Sequence, residues 1–485
     1  MDDEKQQGSP SLSAVTDAHS QEPDANVVGW NEPTDAENPR QWPSKKKLGI
    51  LLTISMLAAV GEISSGIIAP SVPQIMKEFD SNNDTLAVFV VSVFLLGLAL
   101  GLMILSGFSE MYGRAPIFYS CSILFVAFAV GSALSQNLAS LIVFRFFLGV
   151  CTAAAAGIGG GVIGDMYIPE ERGKATSIYA LGNLVGPLVG PIIGGYLGQD
   201  AGWRWVCWLT AILSGVMAIA ALLVLRETYH PVLLDRKVLR MRKETGNQDL
   251  RAVSGISGHR IQTFRSALGR PLKLLVFSPV VSLPCLGVAV VTGMLYLLIS
   301  TIAVVFQQSY HWSEGSSGLA YLGLNIGLIF ALVVFAATSD RAYKKIAKNG
   351  AVQPEVRLVP VSLGAPLICA GLIIYGWSAE KGIHWIVAII GTAIFGMGWI
   401  AFQMPVTTYL IDVFKHQAAS AIGANAFLRS LLGGVLPLCA GRLYADLGLG
   451  WGNTTLALIA LVFSPLPWLF VRNGEKLRTK FPVTA

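Results

Sequence analysis

Charge is what this sequence has least of. Only 13% of its 485 residues are Asp, Glu, Lys or Arg, about half the share in a soluble globular chain. With 53% hydrophobic residues and a mean hydropathy of +0.59, that shortfall excludes an ordinary water-soluble domain and points to a polytopic helical membrane protein. The six cysteines (121, 151, 207, 285, 369 and 439) lie in or at the ends of apolar runs, and none forms a CxxC. That excludes a disulfide framework and a zinc ribbon. The six histidines lack metal-ligand spacing, so no metal site is expected. There is no G-x-x-x-x-G-K-[ST], which removes ATP as the evident energy source. The glycine cluster GIGGGVIG at 157–164 follows no strand and lies inside an apolar run, so it is not read as a nucleotide loop. No paired carboxylates or His-centred cluster stands in the apolar runs, so an enzyme is not expected. No short apolar core precedes the polar start, so no signal peptide is expected.

What is there is a series of long apolar runs. Twelve can each cross about 30 Å of hydrocarbon: 48–70, 86–108, 116–135, 138–163, 174–198, 204–226, 276–306, 316–338, 357–377, 384–410, 417–441 and 451–472. If the N-terminus is cytosolic, 28 of the 35 Lys and Arg fall on the cytosolic side and four (Lys77, Arg204, Lys381, Arg442) on the other. That asymmetry places both termini in the cytosol. The net charge of +6 is thus a topology signal, and no nucleic acid is expected as a partner. The reading divides the chain into a disordered cytosolic tail (1–47), a six-helix bundle (48–226), a basic cytosolic loop (227–272), a second six-helix bundle (273–472) and a cytosolic tail (473–485). The loop segment DRKVLRMRKETG suits an amphipathic helix on an anionic leaflet or a solvated linker. The fold class is all-α membrane protein, twelve transmembrane helices in two bundles, as two parallel repeats of a transporter would give.

Several stretches carry a family resemblance. GFSEMYGRAP (107–116) resembles the loop signature of the major facilitator superfamily, with Gly107, Glu110, Gly113 and Arg114 matching G-x-x-x-D-x-x-G-R and Glu replacing Asp. Glycine gives the turn, and a carboxylate with a guanidinium there can latch onto a neighbouring helix end. LIVFRFFLGV (141–150), NPRQWP (38–43), ETYHPVLLDRK (227–237), GLAYLGLNIG (318–327) and 408–438 resemble the twelve-span fungal drug:H+ antiporters of that superfamily. The resemblance implies an exporter of drug-like compounds or self-made toxic metabolites, driven by the proton gradient without a cofactor. Its partners would be small hydrophobic or amphipathic substrates, protons and the bilayer. The expected form is a monomer in the plasma membrane, with the vacuolar membrane as alternative. A polyamine exporter and a nutrient uptake symporter are the rival functions.

A charge near the bilayer centre is costly unless paired or hydrated, and three stand out: Glu62, Arg145 and Arg429. At 1.5 Å per residue, Glu62 and Arg145 both lie about 10–12 Å deep. In the resembled fold both line the cavity, so they are expected to meet, with Glu62 taking the coupling proton and Arg145 answering its charge. Arg429, four residues after Asn425 on one helix face, is expected to find no acid. Tyr296, Gln307, Tyr321, Asn325, Gln403, Asn425 and Arg429 are the cavity candidates, polar groups in an apolar pocket. Asn83 and Asn453 begin glycosylation triplets.

The run GNLVGPLVGPIIGGYLG (182–198) repeats glycine every fourth residue and resembles the fifth-span signature of antiporters. Its residues Gly182, Gly186, Pro187, Gly190, Pro191, Gly194 and Gly195 are expected to form a bent, smooth face. Each four-residue step drifts about 40°, so the groove slants. It is expected to seal against the opposite half at span 8.

Overall fold

The computed structural model describes residues 26–30, 35–253, 260–347, 354–414 and 418–480. The first half contains α1 (Ser44–Gly66), α2 (Asp84–Tyr112), α3 (Arg114–Ala133), α4 (Leu138–Ala153), α5 (Pro169–Ala201) and α6 (Trp203–Val224). A π turn at Ala154–Ile158 carries α4 on to Met166. Two connecting helices follow, α7 (His230–Thr245) and α8 (Arg260–Phe277). The second half contains α9 (Pro279–Ser309), the short α10 (Glu314–Leu319), α11 (Tyr321–Ala347), α12 (Val361–Glu380), α13 (Trp385–Val413), α14 (Ala418–Val435), α15 (Ala440–Leu461) and α16 (Leu466–Lys480). Helices occupy every run expected to span. Among the described residues, ten stretches are long and apolar enough to cross a membrane, the last of them, Ser420–Gly474, covering several helices.

Local chemistry sets the boundaries. Asn83 and Asn137 cap α2 and α4, their side chains accepting backbone N–H bonds. Gly113 (φ 101°) and Gly202 (φ 89°) each reverse the chain in a single residue, a conformation open to glycine and strained for other residues. The surface is inverted relative to a soluble protein. On α6, Ile212, Val216, Ile219 and Leu223 are 55–70% exposed, while Thr210, Ser214, Ala218 and Ala221 are buried. Large apolar groups face outward and small ones inward, the pattern of helices packing in lipid.

The two halves pack alike. In the first, α1 lies on α5, α2 on α4 and α3 on α6; in the second, α9 lies on α14, α11 on α13 and α12 on α15. Each half has an arginine–aspartate pair at matching places. Arg114 at the start of α3 meets Asp165 (3.3 Å), and Arg357 before α12 meets Asp412 (3.0 Å). Both pairs stand at the end of the bundle where α1 begins, called here the tail end. The opposite, far end gathers Glu78, Ser135 and Arg204. Between the halves, α2 lies along α14 and the far end of α5 meets α10.

Part of the tail expected to be disordered is structured. β1 (Val27–Val28) pairs in parallel with β2 (Arg251–Ala252). Val28, Val238 and Leu250 form a small core with Met241 and Ala252. Lys237 binds Asp35 at 2.7 Å, and Arg240 takes both oxygens of Glu37 at 2.6 and 2.8 Å. Helix α7 therefore places its apolar side, Leu234 and Val238, against protein.

Candidate functional site

Two charges face each other between the halves. Glu62 on α1 is half-buried, and Ser65 donates to its backbone carbonyl at 2.7 Å. A Cβ at Gly186 of α5 would overlap Glu62, so the glycine lets α5 lie directly beneath the acid. Across the interface stand Arg429 on α14 and Tyr296 on α9, near enough that the three groups feel one another's charge. Among the described residues neither the Glu62 carboxylate nor the Arg429 guanidinium has a hydrogen bond or ion pair. Tyr296 lies against Gly433, one turn beyond Arg429, and Trp399 donates to Thr292 at 3.3 Å beside it. Asn425 Oδ1 and Gln403 Oε1 are buried and without partners.

The expected meeting of Glu62 and Arg145 does not occur. The Arg145 guanidinium donates to the carbonyls of Val90 (2.6 Å), Ser64 (3.2 Å) and Ser65 (2.9 Å), stacks near Phe94 and is 3% exposed. A delocalised cation is satisfied well by several carbonyl dipoles, and its five donors need no carboxylate. The expectation that Arg429 meets no acid is also corrected, because Glu62 is its charged neighbour. Sequence depth put Glu62 and Arg145 at one level but could not say which way each side chain turns.

The other cavity candidates scatter. Tyr296 packs across the interface on Leu95, Leu98 and Ala153 of the first half, and Asn425 and Gln403 are buried in the second half. Gln307 sits at the far end, donating to Pro70 O (3.2 Å) and Ser317 Oγ (3.1 Å). Tyr321 is buried and donates to Ile299 O at 2.6 Å, a helix-to-helix tie. Asn325 is 3% exposed. Asn83 is occupied as a helix cap. Asn453 is wholly buried, bonded to Leu449 O and Tyr444, so it offers no glycan acceptor.

Most of the glycine groove meets a different partner from the one expected, and only its far end reaches span 8 at Gly318. Cβ atoms at Gly182, Gly186, Gly190 and Gly194 would strike Ser55, Glu62, Ile63 and Ile67, all on or just beyond α1 of the same half. Only the far-end residues reach across. Gly195 faces Glu314 and Gly315, and Pro191 packs on Gly318. The reason is the slant itself, since each four-residue step turns the groove about 40° and rotates it from α1 towards the second half. The Pro187 side chain lies outside the described residues.

The tail-end latch is larger than its signature. Arg114 binds Asp165 and Ser109 Oγ (2.7 Å) and lies over the Tyr229 ring. Glu227 accepts from the backbone N–H groups of Arg114, Ala115, Thr228 and Tyr229 at 2.9–3.3 Å. It fills the space a Cβ at Gly113 would need. Burial pushes the Tyr229 hydroxyl above its ordinary pKa, with Glu110 adding to the rise. His230 Nδ1 accepts from Trp30 Nε1 (3.0 Å), and its Nε2 sits 2.9 Å from Asp165 O. Glu110 lies within charge range of Arg114 and of Arg270 on α8. Gly107 is buried on α2. Asp165, Glu227 and His230 were not singled out as latch residues from sequence. The only pointer was that Glu227 and His230 open the quoted ETYHP stretch.

A sequence profile of the Major Facilitator Superfamily matches residues 54–437. The chain is 43% identical to the efflux pump radE of Floropilus chiversii, over 96% of this chain and 87% of that one. It is 44% identical to the MFS-type transporter penM of Penicillium rubens, over 95% and 91%. Among solved structures, the inward-facing, occupied bacterial homologue of the human lysosomal transporter Spinster matches with a TM-score of 0.68 at 16% identity, covering 90% of this chain and 99% of that one. The partially occluded inward-open xylose transporter XylE of E. coli matches with a TM-score of 0.62 at 17% identity, covering 88% and 98%. With this fold, two like-packed halves and a profile match across most of its length, the chain belongs to the major facilitator superfamily and is a multi-pass membrane transporter of fungal type, not an enzyme.

Proposed function

We propose that this protein is a proton-coupled antiporter that exports small hydrophobic or amphipathic molecules, drug-like or self-made, by alternating access. In this reading it crosses the plasma membrane twelve times as a monomer, with the tail end in the cytosol. The observation that carries it is the unbonded pair of opposite charges, Glu62 on one half and Arg429 on the other. Unpaired charges at membrane depth persist only where water or a ligand reaches them. Glu62 is the coupling acid. As a carboxylate it is drawn to Arg429 across the interface, and as a neutral acid it is not, so proton binding changes how strongly the halves attract. Tyr296, Trp399 and Asn425 give an amphipathic substrate aromatic faces and an amide beside that pair. The name of the fungal relative radE, an efflux pump, supports export.

The test is transport in inverted vesicles carrying an imposed pH gradient, with a panel of apolar drugs, a polyamine and a sugar. Wild type accumulates the apolar compounds only with the gradient. Glu62→Gln reaches the membrane and loses gradient-driven accumulation. Full transport by that variant, or accumulation of the polyamine or sugar alone, overturns the reading.

A further inference from the structure

The far end is held shut by polar contacts between the halves. Gly315 N donates to Gln199 Oε1 at 2.8 Å, and Gln307 Nε2 donates to Pro70 O at 3.2 Å. Between these lies Glu314, the first residue of α10. Its Oε1 is buried and has no hydrogen-bond partner, and so is Ser71 Oγ of the first half. Both atoms crowd the same spot, since a Cβ at Gly198 would collide with each.

Among the described groups around Glu314, only the Ser71 hydroxyl favours its charge, against the larger effect of burial. On the stretches nearest α10 of the elements packed against it, the titratable residues are Tyr196 and Asp200 of α5, Tyr310 and His311 of the connection after α9, and Tyr321 of α11. Tyr196 packs on Gly315, Asp200 and His311 are exposed, and Tyr321 is bonded to Ile299 O. The segment Ala69–Ser71 carries no titratable group. Among the described residues no cation bears on Glu314.

We propose that Glu314 is a gating proton site: the far end closes when this carboxyl is protonated and opens when it is ionised. An ionised carboxylate with a buried, unbonded oxygen is strongly disfavoured. The neutral acid is tolerated there, and its O–H is a donor for Ser71. When the halves part, the group faces the medium on the far side and exchanges its proton there. The proton returns to the side it came from, so Glu314 sets the gate without adding to the protons exchanged through Glu62. The inference rests on the reading of the far end as one of two alternating gates.

The experiment uses the full chain in lipid nanodiscs, with Cys439→Ser and spin labels at Asn82→Cys and Ile383→Cys, one exposed far-end position on each half. Pulsed electron paramagnetic resonance gives the distance distribution from about pH 5 to 8. In the wild-type background the ratio of open to closed rises with pH, by up to ~10-fold per unit, the limit for one linked proton. Glu314→Gln stays closed across the range. Gly198→Ala, whose methyl wedges the slot, stays open across it and covers the case in which Glu314→Gln fails to fold. Glu62→Gln keeps the wild-type response while losing transport, so failure of the coupling reading registers separately. A wild-type distribution unmoved by pH, or a wild-type response in Glu314→Gln, overturns the proposal.

Discussion

An arginine ringed by carbonyls and an arginine facing an open gap do different work, and this protein holds one of each. Arg145 is saturated. Its three carbonyl bonds tie α4 to α1 and α2, and Arg145→Ala leaves those acceptors buried without their donor. At about 1–3 kcal/mol for each stranded group, the variant should lose ~3 kcal/mol or more, read as a clear fall in Tm and in folded yield. Arg145→Lys should recover only part, because an ammonium cannot fork across carbonyls on two helices. Glu62 behaves in the opposite way. It has no bond to lose, so Glu62→Gln should leave Tm close to wild type while removing gradient-driven transport. A large Tm loss in Glu62→Gln would make the acid structural.

At the scale of an element, α5 is decided by its glycines. Helix interiors disfavour glycine by about 1 kcal/mol relative to alanine. The cost is borne because α1 lies backbone to backbone against four of them. The contrast within one helix makes the test. A Cβ at Gly194 would strike Ile67 O, whereas a Cβ at Gly173 meets nothing within 4 Å. Gly194→Ala should therefore reduce folded protein several-fold, and Gly173→Ala should be neutral or gain up to about 1 kcal/mol. Gly190→Leu, whose Cβ starts 2.9 Å from Ile63 O, should abolish export. Equal thermal unfolding of the two alanine variants would count against close α1–α5 packing as the reason for the pattern.

At the scale of the whole molecule, the two ends are built differently. The far end is held by a few polar contacts between the halves around small residues, whereas at the tail end a network runs from Arg114 through Asp165 and His230 to Trp30, within the first half, the N-terminal segment and the connection. Through it the N-terminal segment is fastened to the connection between the halves, and the connection to the latch. In this arrangement His230 accepts from Trp30 on Nδ1, leaving Nε2 as the donor to Asp165 O. Trp30→Ala should free the strap, raising hydrogen–deuterium exchange across 227–252 by about tenfold per 1.4 kcal/mol of lost anchoring, with exchange in α3 and α6 unchanged. Protection identical to wild type would mean that the strap is held by the β1–β2 pairing, the small Val28 core and the Lys237 and Arg240 ion pairs.

Much of this was legible in the chain. Sparse charge, long apolar runs and a lopsided distribution of Lys and Arg dictate a polytopic helical membrane protein, because hydrocarbon accepts little else. Repeat order and signatures such as Gly113–Arg114 give the family, since a one-residue reversal needs glycine at that point. Depth along a helix also reads directly, at 1.5 Å per residue, and it singles out Glu62, Arg145 and Arg429 as charges within apolar runs. Direction does not read. Whether Arg145 turns to a carboxylate or to three carbonyls, whether Glu62 looks to α4 or across to α14, and whether a slanting groove ends on α1 or α10 depend on how helices rotate about their axes. Partners far apart in sequence fix that rotation. Glu227 reaches Arg114 across 113 residues and Trp30 reaches His230 across 200, and local pattern carries no signal for contacts of that span. The residues that make a membrane helix are a one-dimensional property, while the partner each buried charge finds is decided only when the helices pack.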